Sequence, residues 1–335
     1  MTALHRTLVL VVAGGLLATA GAADPEREAR IARELQAVVR TGEPVMLTLP
    51  TPPAAEPAAE GQETSAPAET APPENEASNG EEPIPVPDGL AVDEEAPPQA
   101  PPPPAETAEE PPAPEQTPEP ASPGPRALAL YLPPESEPKR GGAVLLHDLG
   151  GHPDWPEVVA PLRRQLPRDG WATLAVQMPL PGSGGVAPLL REAVPRVEAA
   201  VAELRKRGHK PVVLVGHGTG AAMAAAYLRE QAQPPIAAGV VISLGVPGRD
   251  GAALDPAAIL EGSGLPLLEI HGSEAPSYVL DSVRALDGKR VTRLTTLGTG
   301  HGFDGAEAVL VGRVRGWLRG AVEPEEADDR PDAER

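Results

Sequence analysis

The sequence predicts an α/β protein with a mostly parallel sheet, helices on both faces and antiparallel strands at its N-terminal edge. Three observations predict this. From residue 142 onward, short apolar runs alternate with longer amphipathic stretches. Segment 212–222, VVLVGHGTGAA, reads as a buried strand, a glycine turn and a helix of small residues. The predicted strands end in polar residues, which gathers chemistry at one edge of the sheet, where open α/β sheets hold ligands.

Segment 212–222 organises the rest. Val212, Val213, Leu214 and Val215 suit a strand covered on both faces. Gly216, Gly218 and Gly220 permit a sharp turn, and Ala221, Ala222, Ala224, Ala225 and Ala226 let the next helix lie close to the sheet.

In chain order, residues 1–23 carry the marks of a secretory signal. His5 and Arg6 precede an apolar run over 8–18 that is too short to span a bilayer, and small residues at 20–23 precede Asp24. Export, to the periplasm, is therefore expected, and no later stretch is long and apolar enough to span a membrane. The chain has no Cys, which rules out disulfides and lipid attachment through a cysteine, so the fold must rest on core burial.

Residues 24–50 are assigned to the main domain. A helix is expected over 25–40, with Asp24 as its cap, Pro25 at its first position and Glu26 and Glu28 in its first turn. A strand is expected over 45–49. Residues 51–125 are rich in Pro, Ala and Glu, with 17 acidic residues and no Lys or Arg, so they hold most of the formal charge of −20. This acidity repels nucleic acid and excludes it as a partner. The segment has too little apolar surface to offset ordering and is expected to be disordered. Because the strand at 45–49 has no domain of its own, the segment reads as an insertion between that strand and another at 127–132, within one sheet. The insertion offers itself as a spacer or docking arm, and its protein partner is unknown.

Residues 126–320 form the domain proper. Strands are expected at 143–146, 171–176, 212–215, 240–244, 267–270 and 291–295. Helices are expected at 154–166, 188–207 with a break at Pro195, 276–286 and 305–318. The connection 246–265 is short, which predicts little or no lid. Residues 321–335, acidic from Glu323, form a disordered tail.

The motifs HDLGGHPDW, GHGTGAA, HGSE and GTGH, each following a strand, resemble the α/β-hydrolase superfamily. The resemblance is closer to an uncharacterised bacterial family, a domain of unknown function, of exported proteins with that fold. It covers nearly all the chain except the signal and the acidic insertion. It implies that Gly218 occupies the nucleophile position, that Glu274 matches the acid and that His301 matches the histidine. It also implies that the loop 147–151 lies where an oxyanion hole forms. His147, Asp148, Leu149, His217 and Thr219 are then the expected binding residues.

Glycine supplies no attacking atom, so ordinary Ser-His-acid hydrolysis is not expected. Thr219 sits one step along the turn and is expected to cap the helix. Ser243 and Ser273 lie on other strands. The expectation is a hydrolase-like pseudoenzyme, with Glu274 and His301 retained for hydrogen bonding. It uses no cofactor or metal, and bare N–H groups at the turn bind a small acyl or anionic ligand. The alternative is an active hydrolase, esterase-like or metal-assisted, in which His147, Asp148, His217 and His301 are the candidate ligands. A dinucleotide reading of Gly216-x-Gly218-x-x-Ala221 is opposed by the next strand, which ends Ser243-Leu244-Gly245 without an acid for a ribose. His147 and His271 also read as loop anchors, His152 with Asp154 as a helix cap, and Trp155 and Trp171 as packing residues.

Overall fold

The computed structural model describes residues 23–50, 125–182, 185–247 and 255–322. The expected signal over 1–22, nearly all of the insertion and the tail from 323 lie outside the described residues. Eight strands form one sheet in the order β1-β2-β4-β3-β5-β6-β7-β8. These are β1 (Glu43–Thr48), β2 (Arg126–Leu132), β3 (Gly141–Leu146), β4 (Trp171–Val176), β5 (Val212–His217), β6 (Ala238–Ile242), β7 (Leu267–Gly272) and β8 (Val291–Thr296). β1 pairs antiparallel with β2, and β2 antiparallel with β4. Every other pairing is parallel. Glu43 stands opposite Tyr131 and Thr48 opposite Arg126, so the strands on either side of residues 51–124 are direct neighbours.

The central strands β3, β4, β5, β6 and β7 are buried along their whole length, which explains their nearly unbroken apolar sequences. The outer strand β8 is exposed or half-buried except at Thr296. Among the described residues there are seven α-helices: α1 (Pro25–Val38), α2 (Val159–Gln165), α3 (Ala187–Lys206), α4 (Thr219–Glu230), α5 (Pro256–Gly262), α6 (Ser277–Ala285) and α7 (Glu307–Ala321). One core layer joins α3, α4 and α5 to the sheet. A second joins α2 and α7 to its opposite face. Trp171 is fully buried there, with Trp155 packed against the same layer.

Three expectations about helices need correcting. α2 begins five residues later than predicted, because the Asp154 carboxylate binds Arg163 at 2.6 Å and Arg164 at 2.8 Å instead of capping a helix. His152 accepts from the Asp154 N–H at 3.2 Å, within the loop ahead of α2. α3 runs unbroken through Pro195. Its buried face of Ala193, Val194, Val197, Ala200, Val201 and Leu204 offsets the hydrogen bond that proline cannot donate. α5 is an addition: its cap, Asp255, accepts from the Ala258 N–H at 3.0 Å. No helix among the described residues is long and apolar enough to cross a membrane.

Candidate functional site

The site forms where β5 turns into α4. Gly218 carries this turn at φ 53° and ψ −119°, a conformation that side-chain-bearing residues rarely adopt. A Cβ at Gly220 would lie 2.5 Å from the carbonyl oxygens of Leu146 and His147, so glycine there lets α4 start against the end of β3. That approach brings the loop after β3 over the turn.

The carboxylate of Asp148 fills the space a side chain at residue 218 would need. A Cβ on Gly218 would stand 2.2 Å from Asp148 Oδ1 and 2.6 Å from Oδ2. Asp148 Oδ1 accepts the Thr219 N–H at 2.6 Å, and Oδ2 meets His301 Nε2 at 2.7 Å. Burial opposes ionisation of this carboxyl. The His301 hydrogen bond, the neighbouring His217 and the Thr219 N–H outweigh it and hold the group well below the usual carboxylate range. Asp148 is thus an internal anion, held by the first N–H of α4.

The histidines divide into two roles. His147 is structural: its Nε2 accepts the Met178 N–H at 2.9 Å, so its Nδ1 carries the proton and donates to the Asp148 carbonyl at 2.7 Å. Burial drives its pKa down to about 4 and keeps it neutral. His217 and His301 are paired, with ring centroids 4.7 Å apart. His217 Nε2 donates to the His301 carbonyl at 3.1 Å, and the Ser243 hydroxyl donates to the same oxygen at 3.1 Å. These two donors fix the loop that presents the His301 ring. Burial lowers the His217 pKa to about 4 as well.

Three buried atoms of this site have no hydrogen-bond partner among the described residues: His217 Nδ1, Thr219 Oγ1 and His301 Nδ1. The remaining predicted residues fall as follows. Thr219 does not cap α4 with its hydroxyl; it is the first residue of the helix, and only its backbone N–H is engaged. Leu149 is half-buried in the loop and packs against the core. Glu274 is exposed, and its backbone N–H bonds Thr299 while its carboxylate makes no hydrogen bond to His301. His271 lies apart from the turn: its Nδ1 binds Glu269 at 3.0 Å and its Nε2 faces the Thr295 hydroxyl at 3.1 Å.

Sequence reasoning placed Ser243 at a strand end but missed its role: it has positive φ (49°) and is fully buried, which a strand-end serine does not advertise. One participant was missed altogether. Tyr278, from α6, places its ring 6.3 Å from that of His301; burial and then the charge of Asp148 raise its pKa. Asp148 was visible in the HD pair, but its position inside the turn was not. The one available signal was the glycine at position 218, whose missing side chain leaves space for a neighbouring group.

Asp148, His217 and His301 each offer one ligand atom, and these atoms lie within 4.8 Å of one another. Such a set of two imidazoles and one carboxylate suits borderline divalent cations. A groove of about 810 Å³ runs along α2 and α7, lined by Asp154, Arg164, Glu307 and Arg315 among others, and includes none of these three residues.

Residues 43–195 and 186–277 match the model of a protein family of unknown function (DUF3530). The chain belongs to this family. Among curated proteins, none matches it. The chain has an α/β-hydrolase-like fold. Est1E from Butyrivibrio proteoclasticus, solved with ferulic acid bound, aligns at a TM-score of 0.50 and 15% identity, over 58% of this chain and 95% of that one. XC6422 from Xanthomonas campestris, described as a serine hydrolase without a lid, aligns at 0.47 and 19% identity, over 60% and 91%. The esterase domain of a Rhodothermus marinus protein aligns at 0.47 and 18% identity, over 60% and 95%.

Proposed function

We propose that this DUF3530 protein is an exported, hydrolase-like binding protein that does not perform serine acyl transfer. One observation carries the reading: the Asp148 carboxylate occupies the space a nucleophile's side chain would take at residue 218. A serine mechanism needs a hydroxyl beside His301 Nε2 and a free N–H to receive the developing oxyanion. Here His301 Nε2 and the Thr219 N–H both contact Asp148. The same contacts argue against an acyl or anionic ligand at this turn, because the protein's own carboxylate is already seated there. A cationic ligand, attracted by Asp148, fits the site better.

Purified full-length protein, assayed in chelator with p-nitrophenyl acetate, is expected to show no turnover above the buffer rate. Turnover that disappears in His301→Ala would overturn the proposal. For export, the apolar run 8–18 and the small residues before Asp24 support cleavage near Asp24. N-terminal sequencing of protein recovered from the periplasm tests this; a mature chain still beginning at Met1 would refute it.

A further inference from the structure

We propose that Asp148, His217 and His301 bind one divalent transition-metal ion of the zinc class, which makes the ligand of the proposed binding site a metal cation. The inference rests on reading the turn as a site without serine chemistry. Three features of the residues point to it.

The first is the unmet demand in the site. A buried polar atom without a partner calls for an explanation, such as a missing water or ion. His217 is 2% exposed, and its Nε2–H is committed to the His301 carbonyl. A neutral imidazole with its proton on Nε2 keeps the lone pair on Nδ1, the atom left without a partner.

The second is how the ligands are held. Metal-binding histidines characteristically donate their other N–H to a carbonyl or carboxylate, which fixes tautomer and orientation. His217 already has this arrangement through the His301 carbonyl. Asp148 is similarly oriented, with Oδ1 held by the Thr219 N–H and Oδ2 left facing His301. His301 lacks such a partner at Nδ1. We therefore expect an affinity about 10- to 100-fold short of a fully supported site.

The third is access. The side chains of His301 and Asp148 remain 22% and 25% exposed, so an ion can reach them, and solvent can complete its coordination. His147 is excluded as a ligand, because both of its nitrogens are engaged.

The test is titration of full-length, chelator-treated protein with Zn²⁺ by calorimetry, and with Co²⁺ by visible absorption. One ion per chain is expected, with a Co²⁺ d–d band. Asp148→Asn and His301→Gln, each checked for retained fold by circular dichroism, should lower Zn²⁺ affinity at least about 10-fold and abolish the Co²⁺ band. His271→Gln should leave both unchanged. Absence of stoichiometric binding, or binding that survives Asp148→Asn and His301→Gln, or that depends on His271, overturns the site. Failure here leaves the absence of serine chemistry standing, since the ester assay is run in chelator.

Discussion

His301 meets Asp148 over the turn after β5, whereas two strands further along the sheet His271 meets Glu269. Both contacts are histidine–carboxylate pairs at hydrogen-bond distance, 2.7 Å and 3.0 Å. Their carboxylates nevertheless shift in opposite directions. Burial and then His271 and Arg293 act on Glu269, and burial prevails, so its pKa is raised. At Asp148 burial is again the largest influence, but a backbone N–H at a helix start and two imidazoles together overcome it. A histidine beside a carboxylate therefore does not by itself produce a stable anion. The number of donors aimed at it, and the helix N-terminus, decide.

The sharpest way to probe this contrast is pH. His147 and His217 are held near 4 in the folded protein, against 6.5 for an exposed histidine. Between these values the unfolded chain binds protons that the folded chain does not. Stability is thus fully present above about 6.5 and lost as pH falls toward 4, on the order of 3 kcal/mol for each residue. Asp148 extends the loss below its unfolded value near 4, because its folded pKa is depressed. Glu269 acts with the opposite sign: its raised pKa gives back stability as pH falls through that value. Urea unfolding in chelator from pH 7.5 to 4 should show a steep net fall, and a flat profile would break the assignment of neutral, buried histidines.

Next in size is Gly218→Ala, expected to cost about 3 kcal/mol or more from backbone strain and collision with Asp148. Adding Asp148→Gly should recover the steric share, so the two losses should be less than additive in denaturant unfolding. Strict additivity would mean that Asp148 does not occupy the turn. The smallest effects come from making the same change at each pair. Asp148→Asn should destabilise by about 1–3 kcal/mol at pH 7, because it weakens an anion that several donors favour. Glu269→Gln should change stability by less than about 1 kcal/mol, because burial already disfavours its charge. Equal losses at the two sites would erase the contrast.

Much of the fold was legible in the residues. Apolar runs such as VVLVG and WATLAV sit in fully buried strands, and the glycines and alanines of 216–226 mark the close approach of α4. Local composition encodes this because a strand buried on both faces has few alternatives. The helix ends were less legible. Asp154 carries the chemistry of a cap, but Arg163, on the helix that follows, claims its carboxylate. The site was legible only in outline. Gly218, His217, Asp148 and His301 stand out by type and by their places after strands. Glu274 stands out equally, yet its exposed side chain makes no bond to His301.

By itself the sequence determined the order of the strands and of most helices, the parallel core and the edge at which polar residues collect. These follow from hydrophobic periodicity and backbone preference, which act over a few residues. Only the tertiary structure decided which carboxylate meets His301. Asp148 and His301 are 153 residues apart, and they touch because the ends of β3 and β5 and the loop before α7 converge. Spacing along the chain does not specify contacts of that kind. They depend on how a carboxylate, an imidazole and a helix N–H fit into the space that one glycine leaves open.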